Sequence, residues 1–303
     1  MREISCQYIM IGLMMISLLF TGTVAQAEQT DGDWVYILHD DGTAEIKDYT
    51  GPEAEISIPA MVDGHPVTVI GMHEDFYYYE IYTITIPEGV TEIMPECFAE
   101  CDCLEEVYLP STLRSIGDRS FLMTGIGSID LPEGLISIGR EAFAASALES
   151  VSLPSTLQSM DGNPFVYCES LAEILVSPEN PSFSTKDGVL YDKTEERLIC
   201  YPYGLRSGRC EIPVGTRIIG REAFAYTDQH QLFEVVLPEG VTELEKYAFA
   251  YCTGMEIWLP ASLTSIAEDA FYNQGEGPRL LHVKQGSFAE TYCSEQGLRY
   301  TTY

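Results

Sequence analysis

The stretch "IDLPEGLISIGREAFAAS", residues 129–146, decides how the chain is read. It opens on alternating polar and apolar residues, the period of a half-buried strand. Pro132 ends that strand, because proline has no N–H to give a ladder. Ile138 follows six residues after the proline and Phe143 eleven. The same intervals run along the chain. Aliphatic-Pro pairs stand at Ile58-Pro59, Ile86-Pro87, Leu109-Pro110, Leu131-Pro132, Leu153-Pro154, Ile212-Pro213, Leu237-Pro238 and Leu259-Pro260. Six residues on from Pro87 and its successors come Ile93, Ile116, Ile138, Met160, Ile219, Leu244 and Ile266. Eleven residues on come Phe98, Phe121, Phe143, Phe165, Phe224, Phe249 and Phe271, seven matches in a chain with 12 Phe, which excludes chance.

Several steps are 22 or 23 residues long, a period that means stacked supersecondary units. One unit cannot close a core, and stacked units share one, so the chain is expected to be a solenoid. The pentapeptide "LPSTL" belongs to this comb. It occurs at Leu109–Leu113 and Leu153–Leu157 and resembles the start of a Leu-Pro-x-Thr-Gly wall-sorting signal. Its fifth letter is Leu, and sister rungs spell the place "LPEGL", "LPEGV" and "LPASL". It reads as a core-packing device rather than an address.

The order aliphatic-x-aliphatic-Pro, Val or Leu, Ile-Gly, Ala-Phe and sometimes Cys resembles the BspA-type leucine-rich repeats of bacterial surface proteins. The clearest matches are residues 129–146 and "VVLPEGVTELEKYAFAYC", residues 235–252. The pattern departs from the common leucine-rich consensus, which has an Asn/Cys rung and no Pro. The resemblance runs from about Asp33 to the C-terminus. It implies an α/β leucine-rich-repeat solenoid, with a parallel sheet on one face and short helical or 3₁₀ turns on the other. Residues 1–27 read as a signal peptide, with an apolar run from about Tyr8 to Phe20 and a small-x-small site at Ala25-Gln26-Ala27. Residues 28–58 are expected to form an N-terminal hairpin cap, with a turn at Asp41-Gly42. The solenoid is expected over 59–284, with a hairpin insertion at 178–208, and a helical cap over 285–303, begun near Ser287 and stopped by Gly297.

Lys and Arg total 16 against 47 Asp and Glu, a net charge of −31. That excludes nucleic acid, whose phosphates need a cationic stripe, and adsorption to anionic lipid. No second apolar segment follows the leader, so no membrane insertion is expected after its cleavage. Cys6 would leave with the leader, and the remaining eight cysteines are an even number. Cys101, Cys168 and Cys252 share a slot with Thr124, Ser146 and Thr227, which marks small buried packing residues. Cys200 and Cys210 are the best disulfide pair to test. "CFAECDC" at 97–103 lacks a nearby His, and no histidine sits at metal or general-base spacing, so neither metal nor cofactor is expected. There is no nucleophile elbow and no phosphate loop. The chain is therefore not expected to be an enzyme.

Residues two and four before each Pro should point outward from the sheet. In the C-terminal rungs this sets Val236, Trp258 and His282 beside Glu234 and Glu256, a candidate partner-binding patch. The alternative is that Trp258 shields sheet surface or is covered by the tail. Tyr108 lies on the same row. Tyr77, Tyr78 and Tyr79 form a further aromatic cluster, read either as an end cap or as ligand-stacking rings. Tyr167, Tyr226 and Tyr251 share a slot thirteen after Pro and are expected to stack as packing. The family resemblance implies recognition: a secreted or cell-surface module that binds a protein or glycan. The alternatives are a structural or ligand-binding part of the producer's own envelope and, last, a carbohydrate- or peptide-active hydrolase.

Overall fold

The computed structural model describes residues 26–72, 80–205, 208–227, 232–273 and 278–303. It is the expected parallel-strand solenoid, mostly β with one α-helix among the described residues. Each turn of chain visits three sides of a shared core. The first side is the pre-proline ladder. Glu55–Ser57, Thr83–Thr85 and Glu106–Tyr108 pair in parallel, as do Ser150–Leu153 and Glu173–Val176. So do Arg209–Glu211, Glu234–Val236, Glu256–Leu259, Leu280–Val283 and Tyr300–Thr302. Residues one and three before the proline face the core, fully buried at Val151, Leu153, Ile257 and Leu259 and partly buried at Leu109, Leu131 and Cys210. The first strand lies inside the stretch read as cap, and the last inside the C-terminal cap. Residues 128–131 keep the alternation but are not a strand. Gly125 and Gly127 precede them, and glycine weakens a strand interior.

The second side was not anticipated as a sheet. The Ile six residues after each proline belongs to a parallel ladder of two-residue strands, Glu92–Ile93, Ser115–Ile116, Ser137–Ile138 and Ser159–Met160. A later block continues with Ile218–Ile219, Glu243–Leu244 and Ser265–Ile266. The glycine after Ile is required by close approach. A Cβ at Gly117 would overlap the Pro95 backbone, and one at Gly139 would overlap Asp118. At the N-terminal end the ladder is extended by His65–Ile70 and Ala44–Tyr49, then by antiparallel Trp34–Leu38 and Gln29–Asp31.

The third side holds the turns that carry Phe. They are bonded i to i+3, as in Ala144 N–H to Glu141 O (2.9 Å) and Ser146 N–H to Phe143 O (3.2 Å). No continuous helix forms, because residues nine and thirteen after proline adopt left-handed backbone: Glu96 and Glu100, Glu141 and Ala145, Glu222 and Tyr226, Tyr247 and Tyr251. Such conformations persist where the surroundings over-determine them. Here they aim every second N–H at the next turn. Glu96, Phe98 and Glu100 donate to Asp118, Ser120 and Leu122 carbonyls at 2.7–2.8 Å. The phenylalanines stack beneath, with Phe98, Phe121 and Phe143 centroids 5.3 Å apart at each step. In several turns the small slot supplies a donor to a Phe carbonyl. Thr124 Oγ1 reaches Phe121 O at 3.1 Å and Cys168 Sγ reaches Phe143 O at 3.0 Å. All eight described cysteines are free, Cys200 and Cys210 included.

The proline corner shows why the rungs alternate in spelling. Glu133 of the "PEG" rung accepts from Ser155 N–H (3.2 Å) and Ser155 Oγ (2.8 Å) of the following "PST" rung. Thr156 Oγ1 accepts from Gly134 N–H (2.8 Å) and donates to Leu135 O (2.9 Å). Glu88 and Gly89 meet Ser111 and Thr112 in the same way. Glu239 and Gly240 meet Ala261 and Ser262. Each "PEG" rung is clasped to its successor.

The insertion interrupts this order. Phe183–Lys186, Val189–Asp192 and Arg197–Cys200 form an antiparallel meander whose third strand pairs in parallel with Ile218–Ile219. It divides the core: Phe183, Leu190 and Ile199 pack with the N-terminal rungs, whereas Tyr191, Leu198 and Tyr201 pack with the C-terminal ones. Helix Phe288–Gln296 closes the far end. Ser287 caps its start by accepting from Glu290 N–H, and Gly297 ends it in the left-handed region.

Where the blocks meet, the turn at Asn163 lies between two copies of "GREAF", at 139–143 and 220–224, and their glutamates come within interacting distance. Glu222 is 5% exposed, its backbone carbonyl accepts from Asn163 Nδ2 (3.0 Å), and Arg221 Nε lies 3.5 Å from its carboxyl. Arg140 and Glu141 face it from the other copy, and Arg119 binds Glu141. Burial first, then the neighbouring Glu141, push the Glu222 carboxyl up to about 7.

Three predictions test these arrangements. Phe121→Ala is expected to destabilise by about 3–5 kcal/mol, and Thr156→Val, which keeps shape but loses the clasp, by about 1–3 kcal/mol. Urea unfolding measures both, and a neutral Thr156→Val would remove the clasp from the account. Glu222 binds its proton more tightly folded than unfolded. Its contribution is therefore present at acid pH and lost as pH rises through about 7. Glu222→Gln is expected to remove up to roughly 3 kcal/mol of that pH-dependence. Identical wild-type and variant stability profiles would refute this assignment.

Candidate functional site

The C-terminal half of the pre-proline ladder builds the candidate site. Parallel register places Val236, Trp258, His282 and Thr301 opposite one another on successive strands. Trp258 and His282 lie face to face, centroids 3.9 Å apart and planes 4° from parallel. Tyr303 tilts against Trp258 at 5.3 Å, and its hydroxyl donates to Leu259 O (3.2 Å). Burial raises the pKa of that phenol. Lys284 sits 5.4 Å over the Tyr303 ring. Trp258 is thus half-buried, with the tail against it and part of the indole still open.

The carboxylates are tied down by the same neighbours. Glu234 accepts from the Trp258 indole N–H (2.7 Å) and pairs with Arg209 Nη1 (2.7 Å). Glu256 meets His282 Nε2 at 3.1 Å and Arg279 Nε at 3.6 Å. The five expected residues Val236, Trp258, His282, Glu234 and Glu256 are therefore together, in a patch whose polar atoms are satisfied from within. Sequence reasoning missed Tyr303, Arg209 and Arg279. Arg209 stands in the outward row and was legible there, but a tail residue folding back onto the sheet leaves no periodic mark.

Tyr108 is 55% exposed on an earlier rung of the same side, apart from this patch. Its hydroxyl donates to Glu106 (2.8 Å), which raises its pKa. Leu175, 50% exposed, lies on the row between them. Tyr77, Tyr78 and Tyr79 fall outside the described residues. On the turn side the tyrosines of the shared slot meet: Tyr226 stacks on Tyr251 at 4.3 Å, whereas Tyr167 is tilted 54° against Tyr226 at 5.0 Å. Tyr203 and Tyr272 add edge contacts to Tyr167 and Tyr251, so the row reads as packing. Among the described residues, no group of three or more His, Cys, Asp or Glu is placed to hold a metal ion. No described helix is long and apolar enough to cross a membrane.

The comparisons with known proteins agree with this architecture. The family described as BspA type leucine rich repeat region matches residues 69–186 and 203–280, in six copies. No curated protein sequence matches the chain. Among solved structures, a leucine-rich repeat protein of Eubacterium ventriosum is 22% identical with a TM-score of 0.68, covering 84% of this chain and 71% of that one. The pneumococcal vaccine antigen PcpA is 22% identical with a TM-score of 0.64, covering 85% and 82%. A leucine rich cell surface protein of Faecalibacterium prausnitzii is 24% identical with a TM-score of 0.53, covering 93% and 96%. At these identities the likeness shows the fold.

Proposed function

The chain belongs to the BspA-type leucine-rich repeat family, and from that premise we propose that it is a secreted bacterial surface module that recognises a protein partner through its pre-proline sheet face. The observation that carries the reading is the stack of Trp258 on His282, flanked by Glu234 and Glu256 in fixed ion pairs. A partner that covers this patch strands no polar group, because the indole N–H and both carboxylates are already paired. The rings are held by strands and by Tyr303, so little side-chain entropy is lost on binding. Large, rigid aromatic groups of this kind form the hot spots of protein interfaces. Val236 beside Trp258 and the exposed Leu175 and Tyr108 further along the face extend the apolar contact.

Binding to a panel of extracellular-matrix proteins and to envelope fractions of the producer, read by surface plasmon resonance, identifies the partner and separates adhesion from an envelope role. Trp258→Ala is then expected to weaken that complex by about 30-fold or more, the scale of a 2 kcal/mol hot spot. An unchanged affinity would remove the sheet face from the reading. A partner attracted by the net charge of −31 would also associate more slowly as salt is raised.

A further inference from the structure

The interruption of the second ladder leaves a strand edge open. In the N-terminal block each rung's carbonyls accept from the next rung: Arg114 O from Ile136 and Ser137 N–H (2.8 and 3.2 Å), Ile116 O from Gly139 N–H (2.8 Å). Ser159–Met160 is the last strand of that block. The N–H groups of Gln158, Ser159 and Asp161 point back to Ile136 and Ile138. By the same register the carbonyls of Gln158 and Met160 point forward, and among the described residues no backbone N–H reaches either. The strand that should follow, Arg197–Cys200, is turned to the meander instead. Its Arg197 N–H, like that of Glu196, is held by Asp192 Oδ1.

A cleft of about 690 Å³ occupies this place, with Gln158–Gly162 on one side and Arg197, Arg221, Glu243 and Lys246 on the other. Its size is that of a ligand pocket. Its lining carries both signs, Asp161, Asp192, Glu243 and Glu245 beside Arg197, Arg221 and Lys246, of which Arg221 lies against Glu222 and Lys246 against Asp269. Asp161 and Glu243 have no ion-pair partner among the described residues, whereas the Arg197 guanidinium is taken by both oxygens of Glu245. The two open carbonyls belong to residues i and i+2 of a strand, about 6.6 Å apart along it. Alternate N–H groups of an extended peptide repeat at that distance. A sugar or an inorganic anion offers no such row, and the unpaired carboxylates repel an anion.

We propose that this cleft binds an extended, Lys- or Arg-bearing peptide segment, which adds as a strand to Ser159–Met160 and sets its cation between Asp161 and Glu243. Strand addition of this type draws affinity from main-chain bonds and selectivity from side-chain pockets. The site lies on a different side of the solenoid from Trp258 and does not depend on the sheet-face reading.

The test uses the full chain without its leader, screened against a bead library of random peptides of about seven residues with capped ends. Enriched sequences are expected to carry Lys or Arg. The binding of the enriched peptides, read by fluorescence anisotropy, is expected to fall at least about tenfold when alternate peptide nitrogens are methylated, since methylation removes the ladder donors. Asp161→Asn with Glu243→Gln is expected to cost a similar factor, with unfolding curves checking that the variant is folded. Trp258→Ala should leave peptide affinity unchanged. The proposal is overturned if the library enriches nothing over the double variant, if methylated peptides bind equally well, or if Glu replaces Lys without loss.

Discussion

No rung of this solenoid can satisfy its own backbone. The N–H groups of one turn are bonded to carbonyls of a neighbouring turn on all three sides, and the Phe of one turn is covered by the Phe of the next. A buried N–H or C=O without a partner costs free energy comparable to a lost hydrogen bond. The rung spacing is therefore not adjustable. Every other feature follows from keeping consecutive turns in register: proline to end the strand, glycine to let backbones approach, a Cys, Ser or Thr to finish the turn.

That constraint explains where function can reside. Side chains facing inward are committed to register and packing. Side chains two and four before each proline are free to vary, and there Val236, Trp258, His282 and the paired glutamates form an ordered patch. A flat face of this kind suits recognition of another surface. The acid balance of the chain leaves the few cations to act locally, and Arg209, Arg221 and Arg279 each sit against a glutamate.

The same constraint gives the interruption its consequences. A meander that divides the core must break the second ladder, and a broken ladder exposes carbonyls that a regular rung would cover. It also buries Glu222 within reach of Glu141. The irregular place in a repeat protein is where open backbone and perturbed charge collect, because elsewhere the next rung supplies each partner.

The sequence by itself determined the solenoid, its period, the inward residues and the outward rows, because each depends on spacing within one rung and spacing is printed in the chain. It also settled "LPSTL" as a repeat element. Only the tertiary structure decided that this spelling is one half of a clasp, with Thr156 accepting from Gly134 and Ser155 donating to Glu133. Only the tertiary structure showed the second ladder, the left-handed turn residues, Tyr303 on Trp258 and the open edge at Ser159–Met160. These depend on which rung lies next to which, and on how a tail or an insertion is laid against them. Contacts between rungs are set by three-dimensional register, of which a one-dimensional period carries the interval but not the partner.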